Sequence, residues 1–353
     1  MKRATWWCSV LGLAAAAVLS ACGGGGGGGG GPRGEVPPAN PWVVSPVEAY
    51  GRLTVCGNRI CAEGGETPVQ LRGMSLFWSN TGWGAEKFYN ADLVNNLADH
   101  HNVAVIRAAI GAHESGGYTS NPSAHLDRAR TIIDAAIAKG MYVIVDWHSH
   151  QLLQDQAQDF FETLATEYAT AENVIWETFN EPPGSTFDWT DDLKPYHEAV
   201  IATIRGAGST NLVVVGSPTW SQDADVAAAD PITSDDNVAY TLHFYAGTHR
   251  QALRDKADDA LDLGVALFVT EYGTVDASGN GGFDPVETQL WLDWMDANQV
   301  SSANWSMHDK QESASALRPG SSARGPWGSG DLTSSGTLVL EYVSAGYVQP
   351  GPP

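Results

Sequence analysis

Cysteine and positive charge are scarce in this 353-residue chain. Four cysteines stand at positions 8, 22, 56 and 61, and 19 Lys and Arg face 41 Asp and Glu, for a formal net charge of −22. No basic run offsets that balance, which argues against binding to nucleic acid or to an anionic membrane surface, since phosphate contacts need clustered Lys and Arg. No Gly-rich phosphate loop follows the first β-rich run, so a dinucleotide fold loses ground. A G-x-S-x-G elbow, a nucleophilic cysteine and a metal-ligand cluster are all missing, so the chemistry has to come from other side chains and calls for no cofactor and no metal. Apolar material is plentiful: 43% of the chain is hydrophobic, with 13 Trp and 11 Tyr, enough to bury one large domain or two small ones.

The opening "MKRATWWCSVLGLAAAAVLSAC" has a basic start, an apolar middle too short to span a bilayer comfortably, and small residues before a cysteine. It reads as an export signal over residues 1–21 rather than a transmembrane helix. "LSAC", ending at Cys22, resembles the lipobox of bacterial lipoproteins, in which that cysteine is lipidated; the rival is an ordinary signal whose cleavage site contains Cys. Residues 22–42, rich in Gly and Pro, read as a flexible tether. The expected location is the outer membrane or cell surface of a bacterium, as a lipoprotein, or secretion. Cys56 and Cys61 in "LTVCGNRICAEGG" favour a disulfide closing a small hairpin, with a two-ligand metal site as the weaker reading.

From Pro68 onward, short β-rich runs alternate with longer stretches of helical period. The runs are "PVQLRGMSLF", "VAVIRAAI", "YVIVDWH", "VIWETFN", "LVVVGSP", "VAYTLHFY", "ALFVTEYG" and "SANWSMHD". Between them lie stretches such as "HLDRARTIIDAAIAKG" and "LKPYHEAVIATIRGAG", with apolar residues at three- and four-residue spacing. Apolar strands separated by helices imply a parallel sheet buried on both faces. Eight such units match a single closed (β/α)8 (TIM) barrel over residues 43–349, with a short N-terminal β-hairpin. A last amphipathic stretch, about Thr337 to Val348, is expected to close it.

In such a barrel the site lies at the C-terminal ends of the strands, where the polar residues of this chain gather. Arg107, His148, Asn180 with Glu181, His243 with Tyr245, and Glu271 close successive runs, and Trp305 sits in the last. Singly each has a plain explanation: Arg107 as a buried ion-pair partner, either histidine as a hydrogen-bonded structural group, Glu181 as an acceptor at a turn. Packing gives no reason for all of them to share one rim. Two glutamates on that rim suit glycosidic cleavage, which needs one carboxylic acid to protonate the leaving oxygen and one carboxylate to attack or to activate water. General acid catalysis contributes about 10²- to 10⁴-fold, so a covalent step and tight sugar positioning must supply the rest. Trp78, Trp83, Tyr118, Trp220, Tyr245 and Trp305 offer flat rings for sugar faces, with core filling as the alternative.

The segments "LRGMSLFWS", "VIRAAI", "VIVDWHSH", "FNEP", "SPTWSQDADVAAADPI", "YTLHFYAGTHRQALRDKADDALDLGVALFVTEYGT" and "ANWSMHDKQESASAL" resemble, in order across about residues 50 to 343, the bacterial cellulases of glycoside hydrolase family 5. The resemblance implies a retaining endo-β-1,4-glucanase on a (β/α)8 barrel. It implies Glu181 as acid/base, Glu271 as nucleophile, and Asn180 on the sugar 2-hydroxyl. Arg107 and Tyr245 would hold the nucleophile, His148 and His243 would line the cleavage subsite, Trp305 would stack beside it, and Lys310 and Glu312 would contact sugar hydroxyls on the non-reducing side. The expected partner is a β-glucan polysaccharide or oligosaccharide, with membrane contact only through the lipid anchor and a monomeric state.

Arg107 beside Glu271 favours an ionised nucleophile, whereas Glu181 shows no cationic neighbour in the sequence and is expected to be raised by burial and by Glu271. A carboxyl separation of about 5 to 5.5 Å is expected rather than the ~6.5 to 9.5 Å of inverting enzymes. Tyr272, where the family usually has Trp, is expected to tune the pocket. His308 is an unusual residue for its position and is expected to alter a subsite contact, and Glu114 is a loop charge open to the same use. The same chemistry on mannan or xyloglucan, or a non-catalytic sugar-binding lipoprotein on a retired barrel, are the competing readings.

Overall fold

The computed structural model describes residues 34–184 and 186–349. The expected signal, Cys22 and the glycine run of the tether lie outside the described residues. Residues 34–42 differ from the tether expected of them. The Asn40 N–H donates to the Asp99 carbonyl (2.7 Å), His100 Nδ1 donates to the Pro37 carbonyl (2.7 Å), and the Trp42 indole donates to Asn102 (2.6 Å).

Each apolar run forms a strand. After an antiparallel hairpin of β1 (Thr54–Cys56) and β2 (Arg59–Cys61) come β3 (Arg72–Leu76), β4 (Val105–Gly111), β5 (Tyr142–His148) and β6 (Val174–Glu177). They are followed by β7 (Val213–Val215), β8 (Val238–Tyr245), β9 (Leu267–Gly273) and β10 (Ser301–Met307). Strands β3 to β10 pair in parallel in chain order, and β10 returns to β3 to close the barrel. The disulfide Cys56–Cys61 closes the hairpin, with the two Cα atoms 6.0 Å apart.

Helices fill the gaps because their ends are signalled locally. Asn121 accepts from the Ala124 N–H and Pro122 opens the helix Pro122–Lys139, which stops at Gly140 with φ +69°. The closing helix is Ser334–Ser344, a few residues earlier than expected, because the Thr333 side chain caps it by accepting from the Gly336 N–H.

Inside the barrel, alternation along each strand stacks side chains in layers. The lower layers are apolar: Tyr142, Ile144, Ile175, Val214 and Phe268 join Leu53 and Ile60 of the hairpin region in one cluster. The layers toward the C-terminal ends of the same strands carry Arg107, Asp146, Glu177 and Thr270, all fully buried. Strand β9 holds the one irregularity that the site depends on. Thr241 pairs with Phe268 but His243 pairs with Glu271, and on the other edge Ser302 pairs with Val269 but Asn304 with Tyr272. One extra residue therefore sits in β9, a bulge that turns two neighbours, Thr270 and Glu271, toward the interior.

Candidate active site

The network under the groove starts from Arg107, which alternation on β4 points into the barrel. Its guanidinium pairs with Asp146 (2.9 Å), Glu177 (2.7 Å) and Glu271 (2.9 Å), and donates to Asn180 Oδ1 (2.6 Å). Burial alone would disfavour its charge, but three carboxylates reverse that and push its pKa up. The excess negative charge falls on Asp146, which burial lifts to about 7 against the pull of Arg107. His148 Nδ1 lies 2.6 Å from the same Asp146, and burial holds this imidazole well below its ordinary value, hence neutral.

Glu271 has both oxygens engaged: Arg107 donates to Oε2 (2.9 Å) and the Tyr245 hydroxyl donates to Oε1 (2.7 Å). Burial and the adjacent Glu271 charge hold the Tyr245 phenol well above its ordinary pKa, so it remains a donor. Glu181 lies beyond the end of its strand. Strand β6 ends on Glu177, and the following loop is held by the Asn180 N–H on the Trp147 carbonyl (3.2 Å) and by Ser221 Oγ on the Asn180 carbonyl (2.8 Å).

The expected environment of Glu181 needs correction. His243 Nδ1 lies 3.0 Å from its Oε1 and His150 Nε2 lies 3.5 Å from its Oε2. Burial opposes ionisation, but hydrogen bonds from His150 and His243 outweigh it and hold the carboxyl down at about 2 in the free protein. His243 moves the opposite way: burial disfavours its charge, yet the bond to Glu181 raises it. The two glutamates thus differ in the kind of partner they have. Glu271 faces a permanent cation, Glu181 faces titratable imidazoles. Ligand-type atoms of Glu181, His243 and Glu271 lie within 4.8 Å of one another, and their bonds to Arg107, Tyr245 and Thr270 make them an acid–base set.

These groups open into a cavity of about 300 Å³ lined by Phe77, Trp78, His148, His150, Glu181, Tyr245, Glu271, Trp305, Lys310 and Glu312. A second cavity of about 340 Å³ shares Glu181 and Tyr245 and extends the groove past His243 to Trp220, Gln222 and His249. Trp305 lies parallel to His148 (5.2 Å, 6°), and Trp78 stands edge-on to the same imidazole (4.1 Å, 85°). Trp220 is 40% exposed, on a left-handed stretch in which Thr219, Trp220 and Ser221 have φ of +56°, +60° and +55°. Non-glycine residues in that region cost about 1–2 kcal/mol each, and the bond from the Trp220 N–H to the Pro182 carbonyl (2.7 Å) helps to hold the turn. At the other end Lys310 Nζ pairs with Glu312 (2.6 Å), whose second oxygen meets His308 Nε2 (3.2 Å).

Twelve expected residues therefore share one groove or the network directly beneath it: Glu181, Glu271, His148, His243, Tyr245, Trp305, Trp78, Trp220, Lys310 and Glu312 line it, and Arg107 and Asn180 lie under it. Tyr118 is a correction: it is buried in the core, edge-on to Trp147 (5.2 Å) and Phe160 (5.4 Å), because its short 3-10 turn packs inward. Tyr272 is another. The bulge leaves it facing outward, fully buried and stacked on Phe244 (5.2 Å), away from the pocket. His308 is buried behind Glu312, stacked on Phe77 (4.4 Å). Glu114 pairs with His113 (3.1 Å). Sequence reasoning missed His150, Asp146, Glu177 and Thr270. The signal was available for three of them: Asp146, His148 and His150 repeat at the two-residue strand period, and Glu177 is a lone acid in an apolar run.

Residues 62–311 match the family described as cellulase, glycosyl hydrolase family 5. Endoglucanase Z of Dickeya dadantii is 46% identical over 83% of this chain and 66% of its own length. An endoglucanase of Clostridium saccharobutylicum is 45% identical, over 83% of this chain and 65% of its own. This chain thus spans less than two thirds of either relative. Among solved structures, the catalytic domain of Thermobifida fusca endoglucanase Cel5A in complex with cellotetraose superposes with TM-score 0.79 at 32% identity, over 85% of this chain and 100% of that one. A chain from Cytophaga hutchinsonii superposes with TM-score 0.81 at 50% identity, over 85% and 96%. Fold, groove and these matches together place the chain in glycosyl hydrolase family 5, the cellulase family.

Proposed function

We propose that the protein is a retaining endo-glycosidase that hydrolyses internal β-1,4-glucosidic bonds of cellulose or related β-glucans by double displacement. The observation that carries this reading is the facing of Glu181 and Glu271 within 4.8 Å, with a permanent cation on one and titratable imidazoles on the other. That spacing suits the retaining geometry of about 5–5.5 Å, not the ~6.5–9.5 Å that leaves room for an inverting water.

Glu271 attacks the anomeric carbon while Glu181 protonates the leaving oxygen. Arg107 and Tyr245 hold both Glu271 oxygens, so the attacking carboxylate is oriented before substrate arrives. Glu181 then takes a proton from water, whose oxygen releases the sugar from Glu271. Asn180 Nδ2 is buried without a partner among the described residues, a donor free for the sugar 2-hydroxyl. Trp305, Trp78 and Trp220 offer stacking faces along the groove, and Lys310 with Glu312 binds hydroxyls at the glycone end. The cellotetraose held by the Thermobifida relative supports a β-glucan oligosaccharide as ligand. The lipobox-like run at Leu19–Cys22 supports export with a lipid anchor at Cys22 and a tether in the glycine run that follows it, the protein acting as a monomer.

Product NMR on carboxymethyl cellulose and on galactomannan tests the reading. The expected result is a first-formed β-anomer and faster cleavage of the glucan. A first-formed α-anomer would refute the retaining assignment, and faster galactomannan cleavage would move the same chemistry to mannan.

A further inference from the structure

A continuous hydrogen-bonded chain runs from the groove into the barrel interior. Glu181 Oε1 meets His243 Nδ1 at 3.0 Å, His243 Nε2 meets Thr270 Oγ1 at 2.8 Å, and Thr270 Oγ1 meets Glu177 Oε1 at 2.6 Å. His243, Thr270 and Glu177 are essentially inaccessible to water. Alternation from the inward Phe268 points Thr270 into the barrel, and the β9 bulge then turns Glu271 inward beside it, so both share one interior layer.

The direction of each bond follows from its far end. Burial pushes the Glu177 carboxyl up, but Arg107 works against that push by donating to both of its oxygens, through Nε (2.7 Å) and Nη2 (3.2 Å), so each oxygen faces a donor and the group accepts. The Thr270 hydroxyl must then donate to Glu177. Its oxygen is left to accept, so His243 Nε2 carries a hydrogen. Once Nε2 is committed, Nδ1 is the only imidazole nitrogen that can exchange a proton, and it faces Glu181. The contact therefore holds one proton: on Nδ1 with Glu181 ionised, or on Glu181 with His243 neutral. Without Thr270, a neutral imidazole could place its hydrogen on Nδ1 and satisfy an ionised Glu181 with no proton to deliver.

We infer that Thr270, oriented by Glu177, is a positioning residue that fixes the His243 tautomer and so keeps the acid/base glutamate supplied with its proton. This rests on the assignment of Glu181 proposed above. In the free protein the proton sits on His243; when sugar displaces water from the groove, the neutral arrangement gains and the proton crosses 3.0 Å to Glu181. Glu181 passes it to the leaving oxygen in the first step and recovers one from water in the second, so the contact ends as it began. The charged and titratable groups facing His243 come from every side: Glu177 of β6 at 3.8 Å, Glu181 with His150 beside it, Glu271 of β9, Arg107 of β4 and Asp146 of β5.

The test compares Thr270→Val with Thr270→Ser, read through pH profiles of kcat/KM on cello-oligosaccharides and on a dinitrophenyl cellobioside, whose leaving group needs no acid. Losing one bond to a charged imidazole lowers the proton affinity of the contact by about one to two pH units. The basic limb of Thr270→Val should fall by that amount on the oligosaccharide and stay in place on the activated substrate, and Thr270→Ser should restore it. An unchanged limb in Thr270→Val, or an equal displacement in Thr270→Ser, would overturn the inference. Histidine ¹⁵N NMR of the unsubstituted protein tests it independently of activity: Nε2 of His243 should be protonated at every pH where the fold persists, and an unprotonated Nε2 would refute it. Failure of the broader reading would look different, as absence of glucan hydrolysis in the unsubstituted protein.

Discussion

The two ends of the barrel are built from the same eight strands and behave as different materials. At the N-terminal end the interior positions carry Tyr142, Ile144, Ile175 and Phe268, and the β1–β2 region covers them with Leu53 and Ile60. A few residues further along, the barrel interior carries Arg107, Asp146, Glu177 and Glu271, the three acids each paired with Arg107. The difference teaches that alternation sets which way a side chain points, while residue choice sets whether that layer stabilises the fold or performs chemistry. Burying charge is unfavourable unless each group is paired, so the polar end depends on the apolar end for its stability.

The sharpest way to break the polar end leaves the fold alone. Glu271→Gln keeps the volume and removes the nucleophile, and kcat should fall about 10⁴- to 10⁶-fold, read as hydrolysis of a soluble glucan. Glu181→Gln should fall less, about 10²- to 10⁴-fold, with most activity kept on an activated aryl glycoside. Equal losses for both variants on both substrates would refute the division of roles. Melting curves of the two proteins should stay within a few degrees of the parent.

The next comparison sets the layers against each other. Arg107→Met leaves three buried carboxylates with no cation and should destabilise the protein by about 3–5 kcal/mol along with its activity. Phe268→Ala, in the apolar layer, should destabilise by a similar amount, about 3–5 kcal/mol, while the surviving folded protein keeps its kcat at low temperature. Denaturant midpoints and initial rates on the two variants separate the ends: stability moves in both, chemistry in only one.

This contrast also explains what was legible in advance. The eight strands could be read because apolar runs and helical stretches alternate, and the rim residues because polar groups at strand ends stand out against them. Glu177 was lost inside a run taken to end at Glu181, although the strand stops four residues earlier. Thr270 was invisible because strict alternation would point it and Glu271 to opposite faces, and only the bulge brings both inward. Tyr118 was misplaced because a loop aromatic has the same sequence signature whether it meets sugar or core. The histidines beside Glu181 come from β8 and from the loop after β5, so their meeting at that carboxyl depends on how the barrel closes.

A smaller effect belongs to the covered end. The Cys56–Cys61 bond closes a short loop, and replacing both residues by Ser should lower stability by about 2 kcal/mol through the freedom regained by the unfolded chain. Because the hairpin packs at the end opposite the groove, KM and kcat should not change at temperatures where the variant stays folded. A changed KM would mean that the two ends communicate.

The smallest effect concerns Tyr272, where the two ends meet the helical shell. Its ring packs on Phe244 and its hydroxyl is buried with no hydrogen-bond partner among the described residues. Tyr272→Phe removes that oxygen and keeps the ring. Stability should rise by about 1 kcal/mol, measured by denaturant midpoint, with kcat/KM and its pH profile unchanged. The result separates two accounts of a residue adjacent to the nucleophile. If Tyr272 acted through the pocket, deleting its hydroxyl would shift binding or rate and leave stability flat. Since the bulge turns it outward, the substitution should register only in the packing between strand and helix.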